Sequence, residues 1–360
     1  MRRIIAPSLL LLAACGQDQP TEPVTQPAVR ATEVAPGSSI QAAIDAAGAG
    51  DVIHIRPGLY REALRIDKPG IKMIGQSTAA GGVVLENPGN ADNGIVVTTN
   101  GDGFALSDVT VRGFEENGVL LVGVDGFSLT RVTTERNGEY GLFPVRSSHG
   151  VIKDCSATGH TDTGIYVGQS QSIEVSNSLA FGNVIGIEIE NSSDVRVSGN
   201  RTRDNTAGML AVLLPGLNVK TSSNVVLTGN DVRDNNRPNA GAPGELESFV
   251  PAGSGILVVG PDAVTVDHNT VTGNGFVGIG VASALVLGAL AGLPPEAFGD
   301  IEPNPDGGQV ISNTVRGNGG SPPPIPLPGA DLFWDGSGTG TCWDKNDFGS
   351  SVPSPLPACR

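Results

Sequence analysis

A tetrapeptide that recurs through the chain decides the fold, as in Gly164-Ile165-Tyr166-Val167 and Gly186-Ile187-Glu188-Ile189. In each copy, a glycine is followed by a short, mostly apolar strand. The eight copies begin at Gly94, Gly118, Gly141, Gly164, Gly186, Gly208, Gly255 and Gly278. Successive glycines are 22–24 residues apart, and the single gap of 47 is close to two repeats. Such a period is typical of a solenoid, in which each repeat buries its apolar face against the next.

Each tetrapeptide is followed by two further elements. One is a second strand, such as Asp194-Val195-Arg196-Val197, and the other carries asparagines at a fixed offset, such as Asn200 with Asn205. We expect these asparagines at corners, where they tolerate a left-handed backbone and bond from coil to coil. Three short strands per repeat make one coil of a triangular solenoid. The sequence therefore predicts an all-β protein, a single-stranded right-handed parallel β-helix of about ten coils.

Both ends of the solenoid carry segments expected to cap it, because exposed strand edges promote aggregation. Ser38 and Gln41 form a capping box, and the apolar residues that follow share one helical stripe, so an N-terminal capping helix is predicted. We assign the β-helix to residues 38–320 and a C-terminal capping tail to residues 321–360.

The four cysteines have three expected roles. Cys342 and Cys359 lie in the Gly- and Pro-rich tail, where a disulfide bond would replace a missing core in an oxidising compartment. Cys155 falls on an apolar register and is expected to be a buried free thiol. Cys15 is the expected site of lipidation.

The N-terminus has the organisation of an export signal. Arg2 and Arg3 precede an apolar run and small residues, and the run is shorter than the roughly 20 residues that span a bilayer. Because Cys15 follows directly, the segment resembles a bacterial lipoprotein signal; the alternative is an ordinary cleaved signal with an incidental cysteine. We expect residues 1–14 to be the signal peptide and residues 15–37 a flexible tether. The expected location is the cell envelope, at the outer membrane or cell surface.

The composition is acidic, with 37 Asp and Glu against 22 Lys and Arg and a formal net charge of −15. Such a surface disfavours nucleic acid and anionic membranes as partners. Membrane contact is therefore expected through the lipid anchor only. A polyanionic ligand would need a basic cleft or bridging cations, so calcium is the only cofactor that we consider.

Two stretches carry a resemblance to a known family. Residues 38–76 resemble the start of pectin-lyase-like β-helix proteins, and residues 94–318 resemble their carbohydrate-binding and sugar-hydrolase repeats. The resemblance implies a polysaccharide ligand but no particular chemistry. Mannuronan epimerases of this kind carry a Tyr-Gly-Phe-Asp-Pro-His signature. Here the matching stretch begins at Tyr140 and has Phe143 and Val145 in place of the Asp and His. The proton-transfer residues of the epimerases are therefore absent from this stretch.

The third residue of each tetrapeptide is expected to point outward, which places a row of mostly apolar side chains on one face. An apolar outer face usually contacts something. The insertions 236–253 and 282–308 are expected to cover it, and contact with a partner is the alternative. The row consists of Val96, Leu120, Phe143, Tyr166, Glu188, Leu210 and Leu257.

The middle coils hold the densest group of chemically versatile residues. Glu188 and Glu190 lie two apart on one strand, so both point outward, and they are joined by Asp162 and Tyr166 as catalytic candidates. The paired carboxylates equally suit a cation, although no metal ligands are assigned. The candidate substrate-binding residues are Arg146, His149, Gln169 and Asn191.

Three functions remain open at this point. The first is binding of an extracellular polysaccharide, expected to be acidic. The second is an enzyme on such a glycan, either a lyase, an epimerase or a glycoside hydrolase. The third is a non-catalytic envelope scaffold or partner-binding lipoprotein. An open groove over Tyr166 and Glu188 favours the first two, and a loop packed over them favours the third.

Overall fold

The computed structural model describes residues 29–79 and 81–360, which wind through three parallel sheets in turn. Sheet 1 has 12 strands, and sheets 2 and 3 have 11 strands each. Neighbouring strands of a sheet come from successive coils, as in the parallel pairing of Tyr166 with Glu188. This arrangement confirms the predicted all-β, right-handed parallel β-helix.

The strands contain two to six residues each. Sheet 1 consists of β1 (Ala31–Val34), β2 (Val52–Ile55), β5 (Lys72–Gly75), β8 (Ala105–Ser107), β11 (Ser128–Thr130), β14 (Ser148–Lys153), β17 (Gln171–Ser176), β20 (Arg196–Ser198), β23 (Val226–Thr228), β26 (Thr265–Asp267), β29 (Gln309–Ile311) and β32 (Cys342–Asp344). Sheet 2 consists of β3 (Gly58–Arg61), β6 (Val83–Glu86), β9 (Val109–Arg112), β12 (Thr133–Glu135), β15 (Ser156–Thr158), β18 (Leu179–Phe181), β21 (Arg201–Arg203), β24 (Asp231–Arg233), β27 (Thr270–Thr272), β30 (Thr314–Arg316) and β33 (Asp347–Phe348). Sheet 3 consists of β4 (Leu64–Ile66), β7 (Asn93–Val97), β10 (Asn117–Val122), β13 (Leu142–Val145), β16 (Thr163–Gly168), β19 (Ile185–Glu190), β22 (Ala207–Val212), β25 (Ser254–Val259), β28 (Val277–Ala282), β31 (Ala330–Trp334) and β34 (Ser351–Val352).

Helical structure is confined to four short segments of the described chain. They are the helices α1 (Ile40–Ala46) and α2 (Ala284–Leu290) and the 3-10 turns Leu246–Phe249 and Pro295–Phe298. Across residues 29–79 and 81–360, no helix has the length and apolar character needed to cross a membrane.

The core is a continuous stack of apolar side chains inside the coils. Side chains alternate along each strand, so every second residue of sheet 3 points inward. Ile95, Val119, Leu142, Ile165 and Ile187 form one such column and are almost completely buried. Successive coils lie about 4.8 Å apart, so each of these residues packs on its equivalent in the next coil.

The repeating glycines stand where successive coils leave no room for a side chain. A Cβ on Gly141 would lie 2.4 Å from the carbonyl oxygen of Gly164, and one on Gly186 would lie 2.5 Å from that of Gly208. Real Cβ atoms do not approach an oxygen so closely, so any other residue would push the coils apart. Backbone contact between coils therefore explains the period seen in the sequence.

Asparagine side chains form two columns along the corners and bond from coil to coil, as predicted. The expected left-handed backbone was wrong for them, because the preceding residue, such as Gly199 or Asp204, adopts it instead. Asn200 donates through Nδ2 to Oδ1 of Asn230 at 3.1 Å, and Asn230 donates to Asn269 at 2.9 Å. In the second column, Asn205 donates to Asn235 at 2.9 Å. These side chains are buried and also bond to backbone groups. Their role is therefore structural.

The predicted helix α1 covers the N-terminal end, but different groups cap it. Ser39 rather than Ser38 is the N-cap residue, and its hydroxyl oxygen accepts an amide hydrogen of the first turn. The Glu62 carboxylate accepts hydrogen bonds from the amides of Ile40 and Gln41. A carboxylate from the next coil thus replaces the glutamine of the expected capping box, because it reaches two free amides at once.

The β-helix extends beyond residues 38–320 at both ends. Strand β1 pairs with β2, so residues 31–34 of the expected tether belong to sheet 1. At the C-terminus, β31 to β34 add strands to all three sheets. Much of the expected capping tail, residues 321–360, therefore continues the winding.

The cysteines of the described chain behave as expected. Cys342 and Cys359 form a disulfide bond, and Cys155 is a buried free thiol. The signal peptide assigned to residues 1–14 and the lipidation site Cys15 lie outside the described residues, and both stay predictions.

Candidate functional site

The outer face of sheet 3 carries two rows of side chains along the molecule. Strand register confirms the predicted first row, from Val96 to Leu257. A second row lies two residues further along each strand, and only its member Glu190 was evident from the sequence. It consists of Val122, Val145, Gly168, Glu190, Val212, Val259 and Ala282.

The chain itself covers much of this face, as expected for the insertions 236–253 and 282–308. Their apolar side chains form one cluster with Leu210 of the first row, and they include Leu246, Val250, Leu287 and Phe298. Two further segments, carrying Leu217 and Leu327, also pack there and were not foreseen. A polar site on this face therefore lies under a partly apolar cover.

Three carboxyl groups predicted to be catalytic lie together on the middle coils. Asp162 immediately precedes β16, while Glu188 and Glu190 point outward from β19. Asp162 is 8% exposed and Glu188 is 6% exposed. Within the described chain, no Lys or Arg forms an ion pair with any of the three. Buried acids without a cationic partner are rare in a purely structural role.

The Thr163 hydroxyl joins two of these carboxyl groups. Its Oγ1 lies 3.0 Å from Asp162 Oδ1 and 2.7 Å from Glu188 Oε2. A hydroxyl has one hydrogen to donate, so one carboxyl group must itself donate a proton to Thr163. Burial, with the neighbouring charges of Asp162 and Glu190, raises the pKa of Glu188 well above its ordinary value. Glu188 therefore holds this proton, and Asp162 accepts the hydroxyl hydrogen of Thr163.

In Asp162, burial and hydrogen bonding act on the pKa in opposite directions. Burial raises the pKa of Asp162 to about 6, while hydrogen bonds with Tyr140 and Thr163 oppose that rise. At neutral pH, a pKa of about 6 leaves Asp162 mostly ionised, while the raised pKa of Glu188 and its contact with Thr163 favour the protonated form of Glu188. The pair thus places a proton acceptor beside a proton donor, which is the requirement of acid–base catalysis.

Tyr166 makes a second carboxyl contact. Its hydroxyl donates to Glu190 Oε1 at 2.6 Å. The ring reaches Glu190 across Gly168, where a Cβ would lie 2.1 Å from Tyr166 Cε1. Burial raises the pKa of both Tyr166 and Glu190, so the phenol keeps its hydrogen and acts as the donor. The missing side chain at Gly168 therefore makes this contact possible.

Two further aromatic side chains extend the site along the row. The ring centroid of Tyr140 lies 4.3 Å from that of Phe143, and the Phe143 centroid lies 4.7 Å from that of Tyr166. Tyr140 and Phe143 are partly exposed. Their position next to polar groups suits them to stack on the apolar face of a sugar ring. Tyr140 was not among the predicted catalytic residues, although it directly precedes a repeat glycine just as Thr163 does.

The cover adds a fourth acidic group. Glu247 lies in the 3-10 turn of segment 236–253 and lines a small cavity together with Glu188 and Leu210. Burial and the charge of Asp162 raise the pKa of Glu247 to about 7. With this segment closed, ionisation of Glu247 brings like charges together.

Two of the predicted substrate-binding residues lie outside this group. Arg146 is exposed at the corner after β13. His149, on β14, is also exposed, and its Nδ1 lies 2.6 Å from Asp125 Oδ1. Neither contacts Asp162 or the glutamates.

The other two predicted binding residues hold the connection that follows β22. Gln169 Oε1 accepts a hydrogen bond from the Asn218 amide at 3.0 Å. Asn191 is fully buried and donates to the carbonyl oxygens of Leu214 and Val219. We therefore leave all four residues out of the proposed site, and their part in ligand binding stays a prediction.

Within the part of the chain that the structure describes, no group of three or more His, Cys, Asp or Glu side chains is arranged to hold a metal ion. Calcium therefore has no residues assigned to it.

Comparison with known proteins supports the architecture. Residues 93–213 match the family model of the right handed beta helix region. No curated protein sequence matches the chain. Among similar solved structures is the A-module of the mannuronan C-5 epimerase AlgE4 from Azotobacter vinelandii, with a TM-score of 0.63 and 18% identity over 86% of this chain and 90% of that chain.

Two other enzymes have a similar fold. Pectate lyase Pel9A matches with a TM-score of 0.51 and 18% identity over 92% of this chain and 81% of that chain. A DFA-IIIase from Arthrobacter chlorophenolicus A6 in complex with GF2 matches with a TM-score of 0.57 and 13% identity over 86% of this chain and 80% of that chain. At such identities the likeness concerns the fold alone. The chain is thus a right-handed parallel β-helix.

Proposed function

We propose that the protein is an enzyme that hydrolyses a polysaccharide, with Glu188 as its acid and base and Asp162 as its carboxylate nucleophile. The supporting observation is the Thr163 hydroxyl between the two carboxyl groups, because its single hydrogen cannot serve two carboxylates, so at least one of the groups is protonated. Two carboxyl groups this close suit the glycosidases in which one carboxyl group protonates the leaving oxygen and the other, as carboxylate, bonds to the sugar.

In the proposed reaction, Glu188 donates its proton to the glycosidic oxygen as the bond between that oxygen and the anomeric carbon breaks. The Asp162 carboxylate forms a bond to that carbon, giving a glycosyl ester. Glu188 then takes a proton from water, whose oxygen bonds to the same carbon as the ester bond breaks, so both carboxyl groups return to their starting states. The Thr163 hydroxyl contacts both groups and holds them side by side. Tyr140 and Phe143 supply the surface on which a sugar ring rests.

The same geometry favours hydrolysis over elimination or epimerisation. Those reactions need a base for a C–H bond and a positive group for the substrate's carboxylate. The expected basic residues, Arg146 and His149, form no contact with the carboxyl cluster of Asp162, Glu188 and Glu190. This acidic cluster also favours an uncharged sugar at the site over the acidic one expected from the sequence. The likeness to a mannuronan epimerase and a pectate lyase supports a polysaccharide as the ligand.

Substrate access to Glu188 requires the cover to move. Glu188 is buried against Glu247 and Leu246 of segment 236–253. This segment joins two strands of the β-helix, so it can swing away without unwinding a coil. We therefore assign it the role of a lid.

The cover also favours a second candidate function. A loop packed over Tyr166 and Glu188 is what a non-catalytic envelope protein would show, with its outer rows closed by its own chain. Such a protein would bind a partner through another surface. It would release no product from any glycan, and its carboxyl groups would have no effect on glycan retention.

The test is a panel of neutral and uronic-acid polymers, with release of reducing ends and absorbance of unsaturated ends both measured. We expect reducing ends without unsaturated ends. Asp162→Asn and Glu188→Gln should each reduce the rate by about 100-fold or more. Glu174→Gln, a matched change at an exposed position of β17, should leave the rate unchanged.

Three outcomes would contradict the proposal. Unsaturated ends would show a lyase instead of a hydrolase. Absence of product from every polymer, together with no retention in affinity gels, would favour the partner-binding protein. Retention that Glu188→Gln weakens, without product, would leave polysaccharide binding as the function.

We also propose that the protein is exported and anchored in the cell envelope by a lipid on Cys15. The basic, apolar and small residues before Cys15 support this. Expressed in a bacterium, the wild type should enter the detergent phase on phase separation, whereas Cys15→Ser should stay in the aqueous phase. Equal partition of the two proteins would contradict lipidation.

A further inference from the structure

An apolar cavity of about 50 Å³ lies beside the carboxyl cluster and under the cover. It has no polar surface. Its walls come from the outer face of sheet 3 and from the segments that cover that face. They include Leu210, Leu257, Gly280, Phe333, Leu287 and Leu327.

The cavity exists because one position of the first outer row has no side chain. In that row, Gly280 stands between Leu257 and Phe333. A Cβ at Gly280 would need only a small shift of its nearest neighbour, the flexible end of Leu257 at 3.2 Å. By contrast, a Cβ on Gly141 would meet backbone at 2.4 Å. The backbone therefore does not require glycine at position 280, and its effect there is to leave space.

The cavity adjoins the proposed catalytic pair. Leu210, Val250 and Leu287 line both this cavity and the one that holds Glu188 and Glu247. Leu210 also pairs with Glu188 in the strand register. With strands about 4.8 Å apart, the cavity begins one strand from Glu188. A group attached to a sugar at the carboxyl cluster therefore lies within reach of it.

We propose that this cavity receives a short acyl substituent of the polysaccharide, such as an acetyl ester. The inference rests on the proposed function, because the sugar must first occupy the carboxyl cluster. A cavity of roughly 150 Å³ holds benzene, so the smaller volume here fits a group of a few heavy atoms. Apolar walls disfavour a free hydroxyl, which would lose its hydrogen bonds. The cavity thus selects esterified over unmodified sugar.

The cavity is tested first without a polysaccharide. Ethyl acetate, of which only the acetyl end is expected to enter the cavity, is titrated into the protein while the methyl resonances of Leu257 and Leu327 are followed. Saturable shifts are expected in the wild type and none in Gly280→Val, which fills the space. Leu327→Ala, which enlarges it, should bind ethyl butyrate better than ethyl acetate. Shifts that do not saturate, or that persist in Gly280→Val, would overturn the proposal.

The second test compares an acetylated polymer with the same polymer after alkaline deacetylation. The wild type should retain or cleave the acetylated form at least several-fold better, and Gly280→Val should lose that preference. If the wild type retains or cleaves both forms equally well, the proposal is overturned. If neither polymer is bound or cleaved, the proposed function fails, and the ethyl acetate titration still decides whether the cavity accepts an acyl group.

Discussion

Replacing Asp162 by asparagine should change how the stability of the protein depends on pH. In the folded protein, burial raises the pKa of Asp162 from 3.8 to about 6. The folded state therefore keeps the proton at pH values where the unfolded chain has released it. Because the folded pKa lies above the unfolded one, the stabilisation is present below about pH 4 and is lost as the pH rises through about 6.

The size of the effect follows from the shift. A difference of about two pKa units corresponds to roughly 3 kcal/mol in the free energy of unfolding. The wild type should lose that amount between about pH 4 and pH 7. Asp162→Asn has no proton to release and should lack this loss, while its amide oxygen still accepts a hydrogen bond from Thr163. Removing the charge of Asp162 also lowers the pKa of Glu188 toward its ordinary value. The free energy of unfolding of Asp162→Asn should therefore depend even less on pH.

Denaturant unfolding at a series of pH values measures this directly. Asp108→Asn is the control with the opposite sign, because a hydrogen bond from Arg131 lowers the pKa of Asp108. That variant should lose stability relative to the wild type as the pH rises, by a small amount since the pair is partly exposed. If the free energy of unfolding depends on pH in the same way in the wild type and in Asp162→Asn, the argument that folding raises the pKa of Asp162 is refuted.

Three further predictions concern other parts of the molecule. Gly168→Ala should displace the Tyr166 ring and destabilise the protein by about 1–3 kcal/mol in denaturant unfolding. Tyr166→Phe, which removes only the hydroxyl, should cost about 1 kcal/mol. Equal effects of the two changes would contradict the close approach of the Tyr166 ring to Gly168. Cys342→Ser should lower stability by about 3 kcal/mol, with faster hydrogen exchange confined to the last coils, and unchanged exchange there would argue against a local role of the bond. In the wild type, exchange in segment 236–253, corrected for intrinsic rates, should increase above about pH 7 as Glu247 ionises. Glu247→Gln should abolish this increase, and a persistent increase would show that another group controls the segment.

The fold was predictable because the repeat reports contacts that every coil makes. Gly141 and Gly186 mark places where backbone meets backbone, and Asn200 and Asn230 mark side chains that bond to the next coil. These requirements recur at each winding, so they leave a period in the sequence. Strand β1 and the last coil escaped prediction because neither carries the glycine tetrapeptide.

The site was predictable only in part. Alternation along sheet 3 placed Tyr166, Glu188 and Glu190 outward, and Asp162 lies beside them. Thr163 gave no signal, because a threonine before a repeat glycine is ordinary in a strand and its importance depends on two carboxyl groups from different coils. The cover over the site was expected from the insertions, but the position of Glu247 at the same cavity as Glu188 depends on the path of a loop without any repeat.

The asparagine columns have a consequence for how such a surface changes over time. Asn183 and Asn205 are 22 residues apart, and Asn269 and Asn313 are 44 apart, yet their side-chain bonds measure 3.1 and 3.0 Å. The length of the loop between two coils therefore does not change how the coils stack. Loops can be lengthened, exchanged or grafted beside sheet 3 while the scaffold stays intact, so new specificities can evolve or be engineered without redesigning the core.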